Sequence, residues 1–94
     1  GDDQGSAADL TKLYNGVSGA DGTKGVELPT GAITGMTINV MNQGGSNLKV
    51  YPPSGQAINA GNANAACTLS GGAWVMFIYS GNNTWNSFGA VTGP

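Results

Sequence analysis

Apolar and polar residues alternate with a period of two through most of the chain, in short runs separated by turn-forming residues. Met36, Ile38 and Val40 alternate with Thr37, Asn39 and Met41, and Leu48 and Val50 resume the alternation after Gln43-Gly44-Gly45-Ser46. This is the pattern of half-buried strands, and the glycines tolerate the positive φ of a tight reversal. The spacing predicts one β-hairpin over Met36–Tyr51, stopped by Pro52-Pro53-Ser54-Gly55. Upstream, Gly25-Val26-Glu27-Leu28 reads as a short strand with Val26 and Leu28 on one face, ended by Pro29. The loop that follows, residues 30–35, is expected to pack Ala32 and Ile33 inward.

Downstream the same logic repeats. QAINA (56–60) makes a strand with Ile58 facing in, AACTL (65–69) makes another, and TWNSF (84–88) is the last before a tail over 89–94. The most hydrophobic stretch is AWVMFIYS (73–80), the expected central strand. Trp74, Met76 and Ile78 occupy one of its faces, and Val75, Phe77 and Tyr79 the other. A strand apolar on both faces is covered twice; in a two-layer domain the second cover is a neighbouring subunit. No segment is long and periodic enough to be a crossover helix, which excludes a parallel α/β fold. The pattern predicts an all-β protein, an antiparallel β-sandwich or squashed barrel of seven to eight short strands with a flexible N-terminal arm.

The beginning of the chain is less regular. Residues 1–8 are small, polar and acidic, as in a flexible arm. Between Ala7 and Tyr14 two conformations compete. Ser6 suits the N-cap of a short helix carrying Leu10, Leu13 and Tyr14 on one side. Alternatively, an edge strand runs through Leu13, Asn15 and Val17 with Leu10 anchoring its entry. Asn15-Gly16 and Gly19 would limit the helix to about two turns, marginal by itself in water, which favours extended structure. Asp21-Gly22 marks a turn. The organisation expected is an arm over 1–18 and a single domain over 19–94.

Composition narrows the partners. The chain has 94 residues, enough for one domain with a thin core. It has 17 Gly and only 9% charged residues, a turn-rich β protein with a mostly neutral surface rather than a disordered acidic tail. Little charge means little repulsion between copies, which favours oligomerisation or docking on a large partner. With a net charge of −2, Lys12, Lys24 and Lys49 cannot build a phosphate-tracking groove, so nucleic acid is not expected. No apolar run approaches the roughly 18–20 residues of a membrane span. The start at Gly1, without methionine or a signal-peptide pattern, is expected of a processed, trimmed or incomplete chain.

Catalytic chemistry finds little to work with. There is no His, and the five acids are Asp2, Asp3, Asp9, Asp21 and Glu27, with no pair later in the chain to make an acid/base couple. Glu27 beside Lys24 is most simply a solvent-facing charge. Cys67 lies among Ala65, Ala66, Thr68 and Leu69 without a basic neighbour, the setting of a small buried hydrophobe rather than a nucleophile. No His/Cys cluster suits zinc, no carboxylate cluster suits calcium, and no cofactor is expected. Exposed aromatic rings with convergent asparagine amides would make a sugar-stacking platform. The simpler assignment puts Trp74, Phe77 and Tyr79 in the core or an interface, Trp85 at the core edge, and the asparagines in turns.

From Gly25 onward the chain resembles a small β-module of tailed-bacteriophage virion proteins, found in head decoration (cement) proteins and in head or tail fibres. The residues that carry the likeness begin with Val26-Glu27-Leu28-Pro29, Gly35-Met36, Val40-Met41-Asn42 and Leu48-Lys49-Val50-Tyr51-Pro52. They continue through Gly55, Ala57-Ile58-Asn59, Ala65-Ala66, Thr68-Leu69, Gly72, Phe77 and Trp85. Residues 1–24 match poorly. The resemblance implies a non-enzymatic structural protein on the outer surface of the virion capsid, bound to the major capsid protein and assembled as a homo-oligomer, in particular a trimer. On that basis Leu10, Leu13, Tyr14, Val17, Trp74 and Trp85 are the candidate partner-binding residues. Residues 1–18 would be the capsid-contacting arm, and Trp74, Met76, Phe77, Ile78 and Trp85 a core or inter-subunit cluster. The alternative is a fibre or adhesin module holding a host glycan through Trp85, Tyr51 and the asparagine-rich turns.

Overall fold

The strand predicted to be central is central. In a computed structural model, which describes residues 3–10, 13–89 and 91–93, Trp74–Gly81 is the longest strand and the middle one of its sheet. The described residues are all-β, in ten strands. These are β1 (Ala8–Asp9), β2 (Tyr14–Val17), β3 (Gly25–Glu27), β4 (Thr37–Asn42), β5 (Leu48–Tyr51), β6 (Ala57–Ile58), β7 (Cys67–Leu69), β8 (Trp74–Gly81), β9 (Thr84–Gly89) and β10 (Val91–Thr92). They form two five-stranded sheets, sheet A in the order β1-β3-β5-β7-β10 and sheet B in the order β2-β4-β8-β9-β6. One core cluster draws on both sheets, in a sandwich-like arrangement.

Both sheets are mixed, not purely antiparallel as the sequence pattern predicts. The chain changes sheet after every strand from β1 to β8, and only β8 to β9 stays within one sheet before β10 returns to sheet A. A chain that reverses direction at each crossing arrives back in its first sheet running the same way. Hence β1 pairs with β3, β3 with β5, and β2 with β4, all in parallel. The strand in the opposite layer supplies the long return that parallel neighbours need. Additional strands account for the count of ten against seven or eight. The two-residue pieces β1 and β10 are too short to show any period, and β10 lies in the predicted tail.

The predicted hairpin over Met36–Tyr51 is instead an arch: β4 lies in sheet B and β5 in sheet A. Asn42, fully buried at the end of β4, explains the difference. Its Nδ2 donates to the Ser46 carbonyl at 2.7 Å and to the Leu69 carbonyl at 3.0 Å, and its Oδ1 accepts from Gly44 N–H at 3.1 Å. Leu69 belongs to β7 of sheet A, so one amide folds the 43–47 loop and ties the two layers. The β7–β8 arch stacks on this loop, with Gly71 so close that a Cβ there would lie 2.6 Å from the Gly45 carbonyl carbon.

Among the described residues, the one tight hairpin joins β8 to β9. Asn82 and Asn83 have φ of 53° and 58°, the two positive values of a type I′ turn that matches strand twist. Asn59 and Asn64 also adopt positive φ, so these asparagines work as turn residues. Inward residues of β4, β8 and β9 (Ile38, Val40, Val75, Phe77 and Trp85) meet Leu48, Val50, Cys67 and Leu69 of sheet A in the core. Ala32 packs against this core as predicted, but Ile33 is 76% exposed, because its loop turns at Gly31 and Gly35 with positive φ.

Much of the predicted arm belongs to the layers. β1 and β2 form one edge of sheet A and of sheet B, and Leu10 is a core residue whose N–H donates to the Glu27 carbonyl at 2.9 Å. The extended alternative for this segment is the one observed. Positions 1, 2, 11 and 12 of the predicted arm, including Asp2 and Lys12, and Ala90 and Pro94 of the predicted tail lie outside the described residues.

A candidate partner-binding face

Strand alternation settles which side chains sheet B turns outward. In β8, Val75 and Phe77 are fully buried, so Trp74, Met76 and Ile78 project from the opposite face. Register then assembles their neighbours. Met41 of β4 pairs with Trp74, Asn39 with Met76 and Thr37 with Ile78. On the other side, Phe88 of β9 pairs with Met76 and Asn86 with Ile78. Tyr14 of β2 pairs with Asn39, extending the row to the sheet edge. The result is an apolar ridge along the central strand, flanked by a methionine and two aromatic rings.

Three of these rings are open to solvent: Trp74 at 48%, Tyr14 at 54% and Phe88 at 54%. None of the named outward residues carries a charge. The outward side of sheet A differs. Asp9 pairs with Glu27 there, and Lys49 of β5 pairs with Gly25. Charge thus sits on one layer and exposed apolar surface on the other. Scattered exposed apolar residues are ordinary, but a contiguous group of aromatic and methionine side chains marks an interaction surface.

A second feature lies where β1 and β2 flank the gap between the two layers. An open cleft of ≈ 660 Å³ is lined there by Asp9, Leu10, Tyr14, Val17, Val26 and Gln43, among others. Asp9 is its one carboxylate among the lining residues, and no nucleophile–base pair lines it. Elsewhere among the described residues, no three of His, Cys, Asp and Glu come together. Cys67 is buried, and desolvation pushes its thiol up to about 12, so it stays protonated and packs as a small apolar residue. Asp21 is held below the usual carboxylate range by hydrogen bonds from Thr23 Oγ1 at 2.6 Å and Thr23 N–H at 2.9 Å, a turn-stabilising role.

The six candidate partner-binding residues separate into three groups. Tyr14 and Trp74 stand on the exposed face of sheet B, with Leu13 beside Tyr14 at 65% exposure. Val17 is half-buried against the core and, with Leu10, lines the cleft. Leu10 and Trp85 are both buried core residues. Trp85 faces inward from β9, donates its indole N–H to Gln56 Oε1 at 2.9 Å and lies 5.1 Å from the Tyr79 ring. Tyr51 is buried as well, its ring against Gly25. Met41 and Phe88 were missed. Each follows a glycine-poor polar strand pattern that gives no sign of lateral neighbours, and cross-strand register alone brings them to Trp74 and Met76.

Glu27 is not a simple solvent-facing charge. Partial burial first, and the Asp9 carboxylate opposite it second, push its carboxyl above the usual 4.5. An acid with a raised folded-state pKa favours the fold while protonated and disfavours it as pH rises through that value. Glu27→Gln is therefore expected to raise the melting temperature at pH 7, and the gain should shrink to nothing as pH falls below about 4.5. Thermal melts of both proteins from pH 3.5 to 7 check this; a gain unchanged across that range would contradict it. Asp3 and Asp21, whose pKa values are lowered, act in the opposite sense below about 3.8 in both proteins and cancel in the difference. Compared with protein-family models and with curated proteins, the chain matches none.

Proposed function

We propose that this chain is a structural virion protein that decorates a bacteriophage capsid, binding the shell of major capsid protein on its outer surface and stabilising it. The observation that carries this reading is an uncharged apolar face on sheet B together with β1 and β2 at the sheet edges, surfaces suited to contact with other protein chains. A small domain that leaves tryptophan, tyrosine, phenylalanine and methionine side chains together in water, and has no reactive cluster among its described residues, is suited to adhesion rather than chemistry. The resemblance over residues 25–88 supplies the virion setting. Contact with the shell would run through residues 1–18, where the edge strands β1 and β2 offer backbone for strand addition. Many weak contacts per particle would then hold by avidity. The glycan-binding alternative depends on Trp85 and Tyr51, whose rings are buried, and on asparagines already committed to turns.

Incubating the purified chain with undecorated shells and pelleting the shells tests the proposal. Saturable co-sedimentation at many copies per particle, with a higher disruption temperature for the shell, is the expected result. Shells that pellet without the chain at any concentration would refute it.

A further inference from the structure

Resting on that reading, we infer that the outward face of sheet B is covered by a second copy of this chain, the two copies meeting face to face. Three observations select this occupant. The first is charge. Tyr14, Thr37, Asn39, Met41, Trp74, Met76, Ile78, Asn86 and Phe88 include no acid or base, so the face opposes its own copy without like-charge contact. A self-complementary interface must satisfy this condition, because the same patch appears on both sides. The charged residues that the described strands carry, Asp9, Glu27 and Lys49, all belong to sheet A, turned away from such a contact.

The second is composition. The core of a protein interface is enriched in aromatic residues and methionine and depleted in charge, and this face groups Trp74, Met41, Met76, Phe88 and Tyr14 across neighbouring strands. The third is size. The molecule measures 33 × 21 × 21 Å, so a broad side projects at most 33 × 21 Å, an upper limit on the order of 700 Å² that leaves room for an interface approaching the roughly 800 Å² per partner of a stable complex. Paired this way, β8 is covered on both faces, and β1 and β2 remain at the edges of their sheets.

The test uses the two tryptophans of the chain. Trp85 is fully buried and Trp74 is half-exposed, so acrylamide quenching of intrinsic fluorescence reports mainly on Trp74. Expected are a sedimentation mass above one chain and quenching that falls as protein concentration rises. Trp74→Lys and, separately, Phe88→Lys should each weaken self-association at least about thirtyfold, with unchanged far-UV circular dichroism. Thr68→Lys, on the outward side of sheet A, should leave association as in the wild type. A one-chain mass at millimolar concentration with Trp74 fully open to quencher overturns the inference, as does undiminished association in both lysine variants of the face. Shell co-sedimentation is scored separately. A monomer that still binds shells refutes the pairing alone, and a self-associated species that ignores shells refutes the decoration reading alone.

Discussion

Trp85→Ala is expected to cost about 3–5 kcal/mol of folding stability, the range for removing a buried aromatic ring. Trp85 is the largest fully buried side chain, and it does more than fill space. Its strand position pairs with Tyr79 of β8 on one side and Ile58 of β6 on the other. The ring packs on Tyr79 at 5.1 Å with a 56° tilt, and its N–H satisfies Gln56 just before β6. Removing it opens a cavity between the layers and takes the side-chain support from β6, leaving that two-residue strand held by the backbone bonds Ala57 N–H to Asn83 O at 2.9 Å and Asn59 N–H to Trp85 O at 2.7 Å and by the Asn59 amide, which bonds Ser87 Oγ at 2.7 Å and Ser87 N–H at 2.9 Å. Small domains are stable by only about 5–15 kcal/mol, so the variant should show a much lower urea midpoint. Trp85→Phe should fall between, keeping a ring but leaving Gln56 Oε1 without its donor. A loss below about 1 kcal/mol for the alanine variant would show that the layers close over the gap.

The second large effect is expected at Asn42. Asn42→Ala leaves the carbonyls of Ser46 and Leu69 and the N–H of Gly44 without their present partner, for a loss of about 2–4 kcal/mol. Asn42→Asp separates hydrogen bonding from shape. The carboxylate keeps the acceptor for Gly44 but turns a second oxygen toward two carbonyls, so burial and repulsion raise its pKa in the folded state. The deficit should be full above the folded-state value and shrink as pH falls through it toward the unfolded-state value, because the protonated acid again offers one donor. Chemical denaturation of the three proteins at pH 7 and pH 4 measures both effects. An aspartate variant as stable as wild type at pH 7 would mean that the amide does not hold the two layers together.

Local pattern was legible where a strand is long enough to show it. The alternation of AWVMFIYS put Val75 and Phe77 on one face and Trp74 on the other, Leu48 and Val50 continued the alternation of the preceding strand, and Ile58 was expected inside, where it is. Gly81-Asn82-Asn83 announced its turn. Partner strands were not legible. Met36–Tyr51 satisfies every local requirement of a hairpin, and only the bonds of Asn42 to Ser46 and to distant Leu69 turn it into an arch. The full burial of Trp85 was not legible for a related reason: period two says that a residue alternates, not which of two apolar faces is covered. The apolar face itself was half legible, through the doubly apolar central strand, but Tyr14, Met41 and Phe88 join it by register.

Residue order alone thus established an all-β chain, its main strands and turns, and its poverty in charge and reactive groups, because these follow from short-range sterics and from side-chain chemistry that no packing can add. The pairing of strands, their direction, the exchange of layers at each arch and the face left open to water were decided by contacts between residues far apart in the chain. Those contacts form where burial of both layers and satisfaction of one inward amide are met together, a condition no short window of sequence contains.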